Sequence, residues 1–329
     1  MKVYLKFTLF LLVFLSMVSC TKNDYKIDVK KIDLDSYLVN RYEVDLMNIP
    51  IDDFDEGLIS LSEKYEVFLG DLKTDTTGIH LIYEFATDKN VEIIYDECMQ
   101  VFKDFSQIEK DFEKAFKHIK YYYSDFTPPN IYTYISGFDL DLPVFYNGRD
   151  LFIAIDMYLG ENENYYALGI PNYIIRRMNR DYIVRDCLEQ IAKYYNFSND
   201  AYTRLIDLMI YHGKNWEFIK RSLPDTHDTI ITGFTYAQLK WCEKNEEDVW
   251  KYLISDNTLF TNDLRVMRKL IDDAPYTSFF TQDSPGSVCK WIGWQIVHSY
   301  TKNNSLDLKE LMITVDSEAI LNKSGYRPK

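Results

Sequence analysis

Three side chains near the middle of the chain, Asp186, Glu189 and His212, are of types that do chemistry. Asp186 and Glu189 lie three apart in a helical pattern, so they share a face. Such a carboxylate pair can divide the acid and base roles of a hydrolysis. Its bland use is a solvated helix edge. His212 stands directly before Gly213 on the apolar stripe of the next helix. There an imidazole can serve as a metal ligand or as a core residue bonded to a backbone carbonyl.

Metal chemistry on a helix needs two imidazoles one turn apart, as in His-Glu-x-x-His, so that both lone pairs converge. The five histidines are His80, His118, His212, His227 and His298, and no two are four apart. No metal and no cofactor are therefore expected. Cys-His-Asn and Gly-x-Ser-x-Gly arrangements are absent, as is a glycine-rich phosphate loop. Four cysteines, Cys98, Cys187, Cys242 and Cys289, fall on apolar helical stripes. Free buried thiols are expected, although an export route would permit disulfides.

Two helices must position the three candidates. Val184, Cys187, Leu188, Ile191, Ala192 and Tyr195 form one apolar stripe over Tyr182–Tyr195. Leu205, Leu208, Met209, His212, Trp216 and Ile219 form a second over Ala201–Lys220. The polar turn Asn196-Phe197-Ser198-Asn199-Asp200 joins them. Ahead of this pair, Ile131 to Phe138, Val144 to Tyr146 and Leu151 to Asp156 read as strands, with Asn147-Gly148 as a hairpin signal between the last two. Three antiparallel strands are expected.

Ile27–Val29 and Tyr42–Leu46 also look strand-like. Helices are expected over Asp52–Leu69, Asp88–Phe102 and Ser106–Tyr123, the last opened by a capping box at Ser106 and Glu109. A second capping box, Thr235 with Gln238, opens a helix to Ile254. Asn262–Asp272 is helical. Val288–Tyr300 is apolar nearly all round and should be buried with Trp291 and Trp294. Leu306–Leu321 closes the chain as a helical pair. The fold class is α+β, mostly helical, with a small antiparallel sheet, and residues 27–329 read as a single domain.

The chain begins as an exported protein does. Lys2 and Lys6 precede an apolar run from Phe7 to Val18, too short to span a bilayer stably. It closes on Ser19-Cys20, which resembles a bacterial lipobox, with Met17 where Leu is usual. Residues 1–19 are thus a lipoprotein signal, Cys20 the acylated residue, and 20–26 a polar tether without packing signal. The expected location is the cell envelope, lipid-anchored and facing the periplasm. A net charge of -14 argues against nucleic acid as a partner.

Longer stretches carry a family resemblance. They are Leu-Phe-Ile-Ala-Ile-Asp-Met-Tyr-Leu-Gly from Leu151, Leu-Met-Ile-Tyr-His-Gly-Lys from Leu208 and Thr-Tyr-Ala-Gln-Leu-Lys-Trp-Cys-Glu from Thr235. Pro-Gly-Ser-Val-Cys-Lys-Trp-Ile-Gly-Trp-Gln-Ile-Val from Pro285 and Ser-Gly-Tyr-Arg-Pro from Ser324 complete the set. Together these resemble the gliding motility lipoprotein GldB family of Bacteroidetes, over nearly the whole mature chain. That family is in turn similar to His-Glu-x-x-His zinc peptidases. The resemblance implies a zincin-like fold whose ligands are lost, with Asp186, Glu189 and His212 as vestigial-site candidates. It implies a non-catalytic component that supports assembly or secretion of surface adhesins together with other gliding machinery proteins. Two other classes stay open. One is a divergent metallohydrolase. The other is a glycan-binding lipoprotein, which 27 tyrosines would suit.

Overall fold

The Asn147-Gly148 signal makes the hairpin it promises. In the computed structural model, which describes residues 25–73, 77–196, 203–255 and 257–328, Gly148 adopts φ 94. The Asn147 side chain accepts from the amides of Arg149 (2.9 Å) and Asp150 (2.7 Å). This pairs β3 (Val144–Tyr146) antiparallel with β4 (Asp150–Ala154).

The rest of the sheet corrects the expectation of three antiparallel strands. β2 (Asn130–Tyr134) runs parallel to β4, and β1 (Val39–Arg41) runs parallel to β2. The order is β1-β2-β4-β3. The reason lies in the loop after β2. Buried Asp156 accepts from the amides of Ser136 (3.0 Å) and Phe138 (2.8 Å), with Phe138 held at φ 65. The loop so fixed carries the chain past β4, and β3 lands on its far side. β4, flanked by strands on both edges, is buried at every position.

Each sheet face has its own cover. Ile131, Leu151 and Ile153 enter the main hydrophobic core. On the opposite face Tyr132, Phe152 and Phe145 form one in-register row, with Tyr132 and Phe145 each stacked on Phe152. Phe68 packs edge-on against Phe152 and belongs to a second cluster built on Leu46, Phe54, Leu58, Tyr65 and Leu69.

The helical readings hold where the apolar stripe is long. Lys89–Phe102, Ser106–Tyr122, Tyr236–Ser255, Leu264–Ile271 and the closing pair Leu308–Ile313 and Ser317–Ser324 are all present. Thr235 and Gln238 form their capping box, each side chain accepting from the other's amide. The box at Ser106 does not form, because the Asp104 carboxylate takes the Ser106 amide at 2.9 Å. Tyr42–Met47 is a helix, not a strand; its Glu43 turns inward to accept from the Thr133 hydroxyl at 2.7 Å. Residues 27–29 join no strand. The expected helix over 52–69 breaks into a 3-10 turn and the helices Phe54–Ser62 and Glu66–Leu69.

Three helices make the centre. The first core helix is Ile183–Tyr195, the second Leu205–Ser222 and the third Val288–Asn304. Of the expected turn between the first two, only Asn196 lies within the described residues. The second helix is buried from Gly213 through Ile219, more than the single stripe its sequence suggested. Trp291 and Trp294 are each 4% exposed, so the third helix is the core element expected. The four cysteines are buried and unpaired. Among the described residues no helix is long and apolar enough to cross a membrane. Cys20 and the apolar run before it lie outside the described residues.

Candidate functional site

A cleft of about 280 Å³ opens between the β3 hairpin and the first core helix. Val144, Met157 and Met178 supply its apolar wall; Tyr158, Arg185, Asp186, Glu189 and Lys193 supply the polar one. The helix presents Arg185, Asp186 and Glu189 here because its apolar stripe is anchored in the core by Cys187, Leu188 and Ile191.

The carboxylates are not a solvated edge. The Arg185 guanidinium donates through Nη1 to Asp186 Oδ1 (2.8 Å) and pairs with Glu189 Oε2, while its Nε donates to the Ile231 carbonyl at 3.0 Å. The Tyr158 hydroxyl donates to Asp186 Oδ2 at 2.9 Å. Lys193 stands 4.0 Å from Glu189. The two acids titrate in opposite directions. Burial would raise Glu189, but Arg185 and Lys193 hold it down to about 2. For Asp186 burial prevails over Arg185 and Tyr158, and its pKa is raised.

Behind this pair runs a second set of charges. Asp273 accepts from Arg177 (2.7 Å) and Lys290 (3.1 Å). His212 is partly buried and feels both sets. Burial, then the Lys290 charge, push its pKa down to about 3 against the opposing pull of Glu189. The imidazole is therefore neutral near pH 7. The structure thus brings Asp186, Glu189 and His212 into one electrostatic neighbourhood. As a metal site the donor set does not fit, since the two carboxylates share a guanidinium. No group of three His, Cys, Asp or Glu with metal-binding geometry occurs among the described residues.

Several buried polar residues gave no signal in the sequence. Glu217, fully buried on the second core helix, accepts from Arg221 Nε (2.9 Å), Trp294 Nε1 (3.0 Å) and the Tyr25 hydroxyl (3.1 Å). Burial would raise it, but His298, Arg221 and the Trp294 N–H bring it down to about 2. Tyr25 falls in the stretch expected to be an unpacked tether, and its seat on Glu217 corrects that reading. Lys214, 3% exposed, donates to the carbonyls of Met312 (2.8 Å) and Thr314 (2.9 Å), and burial lowers its pKa to about 7. A charged residue inside a helical pattern looks the same in sequence whether it faces water or a distant partner.

Known proteins bear on these features in one respect. No curated protein and no solved structure matches the chain. A family model described as gliding motility protein GldB matches residues 22–328, nearly the full length, and that family takes part in gliding motility. On that match, the chain belongs to the gliding motility protein GldB family.

Proposed function

We propose that this protein is a non-catalytic component of the gliding machinery, held in the cell envelope by an acylated Cys20 and facing the periplasm. It supports assembly or secretion of surface adhesins by binding other machinery proteins. A zincin-like ancestry, with the metal ligands lost, belongs to the same proposal and rests on the family resemblance alone. The observation that carries the non-catalytic reading is Arg185. Its guanidinium lies between Asp186 and Glu189 and engages both carboxylates, which a hydrolase would need free.

A strain lacking the native copy, supplied with Asp186→Asn or Glu189→Gln protein, tests this. Gliding should persist wherever the variant accumulates to parental abundance. Loss of gliding at full abundance and unchanged melting temperature would sink it. The divergent hydrolase is the second reading, favoured by the opposite pKa displacement of Asp186 and Glu189. The glycan reading has less support. Most rings of the stacked aromatic row lie under Phe68 or neighbouring strands, and Phe145 alone among them is strongly exposed.

A further inference from the structure

Tyr25 does not hang from the domain. Its hydroxyl donates to Glu217 Oε2 at 3.1 Å and lies 2.7 Å from His298 Nδ1, which is placed to donate to the tyrosine oxygen. The two rings are 5.3 Å apart, and Lys220 Nζ sits 5.7 Å from the tyrosine ring centre. Glu217, Trp294 and His298 all belong to the second and third core helices, so the seat is part of the rigid centre. The chain that follows stays strapped down. Asp35 pairs with Lys120 at 3.1 Å, and the Tyr37 ring packs edge-on against Phe116 at 5.4 Å.

Tyr25 stands five residues after Cys20. Five residues reach at most about 18 Å even when fully extended. An anchor at Cys20 therefore keeps the Tyr25 seat within that distance of the bilayer. A longer, unseated tether would let the domain tumble.

We infer that Tyr25 is an orienting clasp, which holds the surface around Glu217 and His298 towards the lipid headgroups and so fixes the direction in which the Arg185 cleft is presented. This rests on the reading that Cys20 carries the anchor. The partner is the lipid surface itself, reached through chain length and not through a basic patch. Two of the neighbouring cations are matched by acids: Lys220 with Asp228 at 2.9 Å and Lys114 with Asp225 at 2.6 Å.

The full-length acylated protein is reconstituted in vesicles of phosphatidylethanolamine and phosphatidylglycerol bearing a nitroxide on the headgroup. A fluorophore is attached through Lys302→Cys, one turn beyond His298, or through Glu66→Cys, exposed at the start of the helix Glu66–Leu69. The four native cysteines outside the anchor are buried and do not compete. The label at 302 should be quenched several-fold more than the label at 66. Tyr25→Ala should bring the two to the same level while the protein still floats with the vesicles. A long Gly-Ser insert between Cys20 and Tyr25 should do the same with the clasp intact. Equal quenching in the parent overturns the inference and leaves the anchor standing, as does unequal quenching that survives both changes. Cys20→Ala protein that floats as the parent does would overturn the anchor, and the clasp with it.

Discussion

Gly213 and Gly293 face each other where the second and third core helices cross. A Cβ built on Gly213 would lie 2.5 Å from the Gly293 carbonyl carbon, and one on Gly293 would run into the Met209 carbonyl oxygen. The helices touch backbone to backbone, and no side chain larger than hydrogen fits between them. Gly213→Ala and Gly293→Ala should each lose stability. Overpacking typically costs about 1–3 kcal/mol, against at most about 1 kcal/mol returned by the better helix propensity of alanine. Denaturant unfolding reads the difference, and variants as stable as the parent would mean the crossing is looser than described.

Glu217 is a buried charge with a full set of donors. Removing it strands Arg221 and the Trp294 N–H in the interior. Glu217→Ala should cost about 3–5 kcal/mol, the usual penalty for breaking a buried pair from one side. A midpoint in urea unchanged from the parent would contradict this. A near-neutral Glu217→Leu would instead show that apolar packing can replace the network.

His212 predicts a pH dependence with a definite sign. Its folded pKa, about 3, lies below the ordinary 6.5, so the unfolded chain binds the extra proton first. Stability from this residue is complete above about 6.5 and is lost as pH falls towards 3. His118, lowered by burial, acts in the same sense. Glu189 and Glu217, both held near 2, add their loss below about 4.5, while Asp186, raised, opposes them. The window for His212 is therefore pH 6.5 to 4.5, read as the difference between variant and parent, because Glu43, Asp156, Asp186 and Glu246, all raised by burial, act in the opposite sense. His212→Gln should change stability modestly at pH 7 and flatten the melting curve against pH there. A slope identical to the parent's would place the imidazole in water.

Zinc content separates scaffold from enzyme. Purified protein is expected to hold well under one equivalent, and a chelator should leave its melting temperature where it was. The reason is the shared guanidinium between Asp186 and Glu189 and the positive charges of Lys193 and Lys290 around His212. Stoichiometric zinc that disappears in His212→Ala, together with peptidase activity, would promote the hydrolase.

Much of the helical frame was legible because a long apolar stripe has only one way to be buried. Ile108, Phe112, Ala115, Phe116 and Ile119 announce their helix, and all five are buried. Short segments were not legible. Tyr42–Leu46 alternates as a strand would, yet Glu43 is drawn inward by Thr133, a partner 90 residues away. The three site candidates were found by type, but Arg185 was not among them. Its role depends on Ile231 and on the depth of the cleft, neither of which a local pattern encodes. Tyr25, Lys214, Glu217 and His298 were missed for the same reason.

The placement of β1 has a consequence for how the protein reaches its folded state. Leu38 bonds across a separation of 92 residues to Asn130, and among the described residues β1 has no strand partner nearer in sequence. When the chain emerges from its N-terminus, this edge must wait unpaired while the helices before β2 arrive. Closing so long a loop is slow, and a waiting strand edge can pair with another copy of itself. A holding factor that covers residues 39–41 during that interval should raise the yield of correctly folded protein. A version permuted to place β1 directly before β2 should need it less.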